Sequence, residues 1–196
     1  MGAVVNCVCY DAPIVNRKEI LRYLKANEES AELKSLIDEA LKEALPTLSY
    51  KVCYREMPVC LDGDCIDFNS FSTVSKDLAI NLAGCGSAIV FAATVGIKID
   101  MLINKYSRVS PAKALVLQAI GNERIESLCD AFNRDISKNY NSTKPRFSPG
   151  YGDLSLQIQS DIFRLLDCNR KIGVTLQESL LMSPQKSVTA IIGIVR

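Results

Sequence analysis

The sequence predicts an α+β fold, in which helices and strands occur together without regular alternation. Apolar residues recur at helical spacing in several separate segments. Strand-like runs follow one another directly in two places, one of them around an Asp-Gly turn. A parallel sheet would instead require strands and helices to alternate. With 196 residues, 48% of them apolar, the chain can bury one sizeable core, and we expect residues 1–196 to form a single domain.

The first half of the chain is divided into clearly separated helical and strand-like segments. Pro46 ends the second helix, because proline lacks the amide hydrogen that a helix interior requires. The third helix is capped by serine or threonine and ends at a glycine, which suits the end of a helix. The predicted helices are 17–26, 29–45 and a segment that starts at Thr73 or Ser75, continues through Leu82 and ends at Gly84, and the predicted strands are 49–59, the hairpin 61–68 and the apolar run 87–96.

The second half begins with a long predicted helix. Ser110-Pro111 provides a cap followed by proline at the first helical position, and helical spacing continues to about residue 140, with an irregularity expected at Gly121-Asn122. Glu126 lies at the margin of the apolar stripe of this helix. That stripe comprises Ile125, Leu128, Cys129, Phe132 and Ile136. The remaining predicted elements are a helix at 154–167 and two strands, 178–184 and 187–195, joined by a Gln-Lys turn.

The charges are nearly balanced, with 23 Lys and Arg against 22 Asp and Glu and a formal net charge of +1. Because no basic tract is present to follow a phosphate backbone, we expect no nucleic acid partner. No apolar run reaches the roughly 18 residues that span a bilayer, and the start, MGAVVNCVCY, lacks the basic region of a secretory signal. We therefore expect no membrane association and a cytoplasmic location.

The chain contains no histidine, the commonest general base and metal ligand in proteins. Ser-His-Asp hydrolysis, Cys-His catalysis and imidazole-bound zinc are therefore excluded. The cysteines lack the repeated C-x-x-C pairs of a zinc site, so we predict no metal and reduced, mostly buried thiols. The pair Cys7-x-Cys9 is predicted to lie in an alternating strand with buried thiols. The eight cysteines are Cys7, Cys9, Cys53, Cys60, Cys65, Cys85, Cys129 and Cys168.

The glycines of AGCGSAIV, residues 83–90, resemble half of a dinucleotide-binding fingerprint. A phosphate cradle needs a strand, then the glycines, then a helix, whereas here the predicted strand follows the glycines. We interpret this segment as the end of a helix that leads into a strand.

The segment RFSPGYGD, residues 146–153, is the strongest candidate for a binding site. A surface turn and an exposed salt bridge would also explain its features. Arg146, however, carries a planar fork that matches a carboxylate, Pro149-Gly150 fixes a turn in which Gly150 has no Cβ to block a ligand, and Tyr151 offers an aromatic face. Glu126 is either a solvated carboxylate or a partner for a cationic ligand group. The pattern favours a receptor for a small zwitterion with a planar ring.

The run Arg-x-x-Pro-Gly-Tyr at 146–151 resembles the S-adenosylmethionine-binding signature of the activation domain of vitamin B12-dependent methionine synthase. The resemblance covers about residues 17–194, leaves 1–16 as an N-terminal extension, and is closest to the short, free-standing form of this domain. It implies a bent antiparallel sheet flanked by helices. The other segments that resemble the family, in the same order, are SKDLAINLAGC (75–85), VFAATVGIKID (90–100), AIGNERIESLCD (119–130) and TLQESLLMSPQKSVTAIIG (175–193).

The resemblance implies roles for individual residues in binding S-adenosylmethionine. Arg146 would bind the carboxylate of the methionine moiety, and Glu126 would neutralise its ammonium group. Backbone groups from Ser148 to Gly150 would meet the adenine and amino groups, with Tyr151 on the same wall. Ser148 stands where the family pattern has alanine, a mild change if the main chain makes the contact. No catalytic residue and no metal ligand are implied.

The family resemblance also implies a reaction. Cobalamin that has been oxidised to cob(II)alamin is restored to methylcobalamin by one electron from a flavodoxin-like donor and a methyl group from S-adenosylmethionine. This methyl transfer removes no proton, which agrees with the absence of histidine. The implied protein is a reactivation component with a shallow ligand site, acting on cobalamin carried by a separate methionine synthase chain. Two alternatives remain: a reactivator of another corrinoid methyltransferase, or a non-catalytic S-adenosylmethionine-binding scaffold or sensor.

Overall fold

The computed structural model describes residues 4–195. Its helices are α1 (Arg17–Leu24), α2 (Ala31–Ala44), α3 (Lys76–Asn81), α4 (Lys98–Val109), α5 (Pro111–Asn139), α6 (Ile158–Leu166) and α7 (Cys168–Ile172), with a short 3-10 turn at Leu45–Thr47. Its strands are β1 (Asn6–Tyr10), β2 (Tyr50–Pro58), β3 (Cys60–Asp62), β4 (Cys65–Asp67), β5 (Ser72–Val74), β6 (Cys85–Thr94), β7 (Ser142–Thr143), β8 (Thr175–Leu176), β9 (Met182–Ser183) and β10 (Ser187–Val195).

The main sheet is curled and antiparallel, with the strand order β1-β2-β6-β10-β7. β6 lies at its centre and pairs with β2 on one side and β10 on the other. Both faces of β6 are buried: Ile89 and Phe91 face one core, and Val90 and Ala92 face the other. Because alternate side chains of a strand point to opposite faces, this double burial explains why the predicted strand 87–96 is apolar without interruption from residue 88 to residue 93.

Each face of the sheet is covered by its own set of helices. α1, α2, α4 and α5 cover the first face, where Ile20, Ile37 and Leu128 belong to the first core. α3, α6, α7 and the small sheet β3-β4-β5 cover the second face, where Leu78 and Ile162 belong to the second core. These layers confirm the predicted α+β class with a bent antiparallel sheet flanked by helices. Within residues 4–195, the structure contains no helix that is long and apolar enough to cross a membrane.

The helix α5 is continuous over 29 residues, including Gly121 and Asn122, so the prediction of an irregularity at these two residues is wrong. Gly121 instead makes room for Lys186, since a Cβ at this position would lie 2.9 Å from the lysine Cε. The Lys186 Nζ donates hydrogen bonds to Gln118 Oε1 at 2.5 Å and Asn122 Oδ1 at 2.7 Å. Burial lowers the pKa of this lysine. These contacts attach the start of β10 to α5.

A buried ion pair on α5 holds the segment that precedes α1. The side chains of Arg124 and Glu123 are 0% and 1% exposed, and their charged atoms approach to 2.5 Å. Arg124 also donates hydrogen bonds to the carbonyls of Pro13 at 2.5 Å and Ile14 at 3.0 Å. Glu123 accepts a hydrogen bond from the Asn16 amide at 3.0 Å. Because both buried charges have partners, the pair fastens this segment to the helix.

The structure also differs from the sequence prediction at α4, at the start of α6 and at β9. The helix α4 was not predicted, and its N-cap residue, Ile97, makes no side-chain cap hydrogen bond that would mark its start. The helix predicted at 154–167 begins only at Ile158, after a series of turns. The strand predicted at 178–184 is shortened to β9, which pairs with β8 in a separate two-stranded sheet, whereas the strand predicted at 187–195 is β10 and joins the main sheet.

The cysteines are free, as predicted, but the expectation that they are mostly buried is wrong. Cys7 and Cys9 lie in the alternating strand β1, yet both are exposed. The reason is position, since β1 is an edge strand and fewer elements cover an edge than the centre of a sheet. Cys60 and Cys65 are also exposed, in the small sheet. The buried thiols are Cys53, Cys129 and Cys168, with Cys85 half-buried.

Candidate functional site

The segment that carries Arg146 runs antiparallel to β10. The Phe147 amide donates to the Ile191 carbonyl at 2.8 Å, and the Ile191 amide donates to the Phe147 carbonyl at 2.9 Å. Successive side chains of an extended segment point to opposite faces. Phe147 therefore packs against the second core, and Arg146 reaches α5 on the first face. The backbone pairing determines on which face the arginine lies.

The Pro-Gly-Tyr turn is closed by its own backbone. The Tyr151 amide donates to the Ser148 carbonyl at 3.1 Å, and the Gly150 amide donates to the Leu154 carbonyl at 2.9 Å. Gly150 has a φ of +88°, a conformation that side-chain-bearing residues rarely adopt. Pro149 is buried beneath the turn, whereas Tyr151 is 62% exposed. The turn therefore presents an aromatic ring and backbone groups to solvent.

The two residues after the turn, Gly152 and Asp153, attach it to the start of α3. The Asp153 carboxylate accepts hydrogen bonds from the Ser75 hydroxyl and from the amides of Lys76 at 2.8 Å and Asp77 at 3.3 Å. The bond from Ser75, followed by those from the two amides, lowers the pKa of Asp153. Gly152 has a φ of +53°, and a Cβ there would collide with the Asp77 carboxylate. Sequence reasoning assigned no role to either residue.

Arg146 lies against two carboxylates of α5. Its Nη2 donates to Glu126 Oε2 and its Nη1 donates to Asp130 Oδ1, both at 2.6 Å. When the Asn133 amide is oriented to satisfy both of its ends, its oxygen accepts from Nη1 at 2.8 Å and its nitrogen donates to the Cys129 carbonyl at 3.2 Å. Residues four and seven apart share one face of a helix. The three side chains that meet Arg146 therefore form one strip along α5.

The charge of Arg146 is stabilised by this strip. Burial by itself would lower the pKa of the guanidinium, whose side chain is 24% exposed. The hydrogen bond to Asp130 and the nearby charge of Glu126 outweigh this effect and raise the pKa. The acids are more accessible than the arginine, with side-chain exposures of 41% for Glu126 and 56% for Asp130. Solvent therefore reaches the negative side of the cluster more easily than the positive side.

The structure brings the predicted site residues Glu126 and Arg146 into direct contact, and the turn Ser148–Tyr151 follows Arg146 immediately in the chain. Glu126 is half-buried, which is consistent with its position at the margin of the apolar stripe. Sequence reasoning missed Asp130 and Asn133. The signal was present, because their spacing from Glu126 places them on the same face of the predicted helix.

Two surface depressions border the strip of α5 that meets Arg146. A cleft of about 260 Å³ between α1 and α5 is lined by Glu126, Asp130 and Tyr23 among others. A groove of about 570 Å³ between residues 11–18 and α5 also contains Asp130 in its wall. Asp130 thus lies where the cleft, the groove and Arg146 meet. In the part of the chain that the structure describes, no group of three or more acidic or cysteine side chains is placed to hold a metal ion.

The arrangement is suited to holding a charged ligand rather than to transferring protons. A guanidinium and two carboxylates stand side by side, so the site can meet both charges of a zwitterion. The Ser148 amide makes no hydrogen bond within residues 4–195 and remains available to a ligand. Cys129 lies below the strip but is fully buried, and burial raises its pKa to about 12, which is typical of a structural thiol rather than a nucleophile.

Comparison with known proteins gives a family match over more than half of the chain. The family model described as "Vitamin B12 dependent methionine synthase, activation domain" matches residues 83–194. This region contains Glu126 and the whole segment 146–153. No curated protein sequence matches the chain significantly.

Thirteen solved chains match the structure. One of them is described as "Crystal Structure of the MetH Reactivation Domain bound to AdoHcy". The match has a TM-score of 0.76 and covers 98% of this chain and 79% of that chain, with 16% sequence identity. At this identity the similarity establishes a common fold.

Proposed function

Because the chain belongs to the activation domain family of vitamin B12-dependent methionine synthase, we propose that it binds S-adenosylmethionine and supports reductive methylation of cob(II)alamin. The observation that carries the proposal is the contact between Arg146 and Glu126 next to the Pro149-Gly150-Tyr151 turn. In this proposal residues 1–196 act as one cytoplasmic domain. The cobalamin is held by a separate methionine synthase chain, and a flavodoxin-like protein donates the electron.

The residues of the site fit the charged groups of S-adenosylmethionine. The Arg146 guanidinium has the charge and the planar geometry to bind the ligand carboxylate. Glu126 lies beside it and is accessible to the ligand ammonium group. The unpaired Ser148 amide and the backbone as far as Gly150 are available to the adenine and amino groups. The exposed ring of Tyr151 offers a surface on which a planar base can stack.

The task of this chain in the reaction is to hold and orient the methyl donor. Arg146 and Glu126 would hold S-adenosylmethionine while a corrinoid on the partner chain would supply the reduced metal centre that accepts its methyl group; breaking the bond between the sulfonium sulfur and the methyl carbon would leave S-adenosylhomocysteine. No proton is gained or lost at the sulfur, so the chain needs no general acid or base. Anchoring the amino acid end at Arg146 and Glu126 and the base near Tyr151 places the sulfonium methyl between two fixed points. Such positioning lowers the entropic part of the barrier.

Isothermal titration calorimetry with S-adenosylmethionine tests the binding site. Arg146→Ala should weaken binding by about 1.5–3 kcal/mol, or about 10- to 150-fold, since a charge-assisted hydrogen-bond pair is lost. Arg146→Lys keeps the positive charge but lacks the planar fork, so its affinity should lie between those of wild type and Arg146→Ala. Arg164→Ala is the matched control, because Arg164 is 80% exposed and pairs with Asp161 on the other face of the molecule. Equal affinities for wild type and Arg146→Ala would overturn the assignment of Arg146.

A reactivation assay tests the reaction. The protein is mixed with a cob(II)alamin-loaded methionine synthase chain, a reductant and S-adenosylmethionine, and methylcobalamin is followed by its absorption spectrum. We expect methylcobalamin to form with wild type and to be reduced in parallel with the loss of binding in Arg146→Ala. Activity only on other corrinoid proteins would reassign the substrate. Binding without activity on any corrinoid protein would favour a sensor or scaffold.

A further inference from the structure

Both terminal nitrogens of Arg146 are engaged by carboxylates of its own chain. Glu126 Oε2 accepts from Nη2 and Asp130 Oδ1 accepts from Nη1, and the two distances are equal at 2.6 Å. Glu126 has an assigned partner in the proposed function, the ligand ammonium group. Asp130 has no partner in the proposed function. Its carboxylate occupies Arg146 Nη1, a donor that a ligand carboxylate would also use.

A ligand carboxylate would be the third anion around a single cation. The ammonium group that accompanies it pairs with Glu126 in the proposed function, so the conflict lies at the hydrogen-bond donors of Arg146. Nη1 carries two hydrogens, and both Asp130 and Asn133 accept from it. A ligand carboxylate can therefore bind Nη1 only if one of these side chains withdraws. Asp130 is the acid that leaves at lower cost, because its side chain is 56% exposed against 41% for Glu126 and the neighbouring groove is open to it.

We infer that Asp130 is an internal competitor for the ligand carboxylate: it occupies Arg146 Nη1 and must be displaced when S-adenosylmethionine binds. This inference rests on the proposed function. Displacement subtracts the free energy of the Asp130 contact from the affinity of every ligand that brings a carboxylate. A ligand without a carboxylate leaves the contact intact and loses no affinity to it. Asp130 thus determines how far affinity depends on the amino acid part of the ligand.

Competition by Asp130 and a general electrostatic effect of its charge predict opposite changes in affinity when Asp130 is removed. S-adenosylmethionine carries a sulfonium, an ammonium and a carboxylate, so its net charge is positive. If Asp130 acted only through its field, its removal would weaken binding of this cation. If Asp130 competes for Arg146, its removal should strengthen binding. The two effects move the dissociation constant in opposite directions.

The experiment compares two ligands and three variants by calorimetry. Asp130→Asn should bind S-adenosylmethionine about two- to fivefold more tightly than wild type, the range expected when a partly exposed ion pair no longer has to be broken. Its affinity for 5′-methylthioadenosine, which lacks the amino acid carboxylate, should be unchanged. Glu126→Gln, one helical turn away on the same arginine, should weaken S-adenosylmethionine binding. Asp161→Asn, an exposed acid on α6, is the control for a simple loss of negative charge.

The outcomes distinguish failure of this inference from failure of the proposed function. Tighter binding in Asp130→Asn, confined to the ligand with a carboxylate, supports the competition. Unchanged or weaker binding of S-adenosylmethionine by a variant whose melting temperature equals that of wild type overturns it, while the proposed function stands. If wild type and all variants fail to bind either ligand, the proposed function fails and the inference falls with it. A gain of equal size for both ligands also overturns the inference, since displacement of Asp130 requires the carboxylate.

Discussion

Replacing Gly152 by alanine should disturb the Pro149-Gly150-Tyr151 turn through its attachment to α3. The residue has a φ of +53°, in the left-handed region, and it lies directly beside Asp77. An added Cβ would lie 3.0 Å from Asp77 Cγ and 3.2 Å from Asp77 Cβ, and it would overlap the carboxylate oxygen. The oxygen can rotate away, but the Cβ of Asp77 is fixed by the helix. Residue 152 or the first turn of α3 must therefore shift.

The loss of folding stability in Gly152→Ala has two parts, which the control variant Gly63→Ala can separate. Alanine in the left-handed region costs about 1–2 kcal/mol. Forcing Asp77 off its preferred rotamer adds about 0.5–1.5 kcal/mol. Gly63 has a nearly identical φ of +58°, and a Cβ added there would have nothing within 4 Å, so Gly63→Ala carries the first cost alone. We expect Gly63→Ala to lose about 1–2 kcal/mol and Gly152→Ala about 1.5–3.5 kcal/mol, the second range being the sum of the two costs.

Urea unfolding measures the two stabilities, and calorimetry with S-adenosylmethionine measures the effect on the turn. Gly152→Ala should weaken ligand binding, because Asp153 and the turn before it move with residue 152. Gly63→Ala, in the hairpin between β3 and β4, should bind as wild type does. The reasoning is refuted if the two variants are equally stable and equally good binders, since the contact with Asp77 would then have no effect on the turn.

Three further predictions concern the scaffold. Arg124→Met should destabilise the fold by about 3–5 kcal/mol in urea unfolding, because it leaves the buried Glu123 carboxylate without its cation. The hydrogen bond from Lys113 lowers the pKa of Glu43 from 4.5 to about 2, so the Glu43 carboxylate stabilises the fold above about pH 4.5 and loses this effect as the pH falls towards 2. In urea unfolding at a series of pH values, Glu43→Gln should therefore lose less stability than wild type between about pH 4.5 and 2. An unchanged pH profile would contradict this role of Glu43. Ellman's reagent should modify four thiols rapidly in the native protein and the buried ones only on unfolding, with the rapid set being Cys7, Cys9, Cys60 and Cys65.

The central elements of the fold could be predicted from the sequence because their local patterns agree with their tertiary environment. The apolar run 87–96 corresponds to β6, which is buried on both faces, and Ser110-Pro111 marks the start of α5. The failures occur where partners distant in sequence decide the structure. The pattern at 178–184 predicts a long strand, whereas only β9 forms there and its partner is β8. Cys7 and Cys9 show the correct alternation, but alternation does not reveal that β1 is an edge strand.

The residues of the candidate site could be selected from the sequence, whereas their contacts could not be predicted. The motif at 146–151 and the position of Glu126 on the helix could be recognised from sequence. Their contact depends on Phe147 pairing with Ile191, a long-range pairing that no local pattern specifies. The position of Asp130, one turn after Glu126, was visible in the helical spacing. Its contact with Arg146 was not, because it too depends on that pairing.

The 29-residue helix α5 also constrains how the length of this protein can vary. Along roughly 43 Å of helix, separate positions hold Lys186, the segment before α1 and Arg146. Deleting one residue, for example Ile125, would rotate every later side chain by about 100° and turn Glu126 away from Arg146, while Gln118 and Asn122 kept their partner. Only an insertion or deletion of seven residues, close to two full turns, would return the later side chains to within about 20° of their original direction. Insertions and deletions should therefore collect in the loops that follow α5, and α5 itself should keep its length.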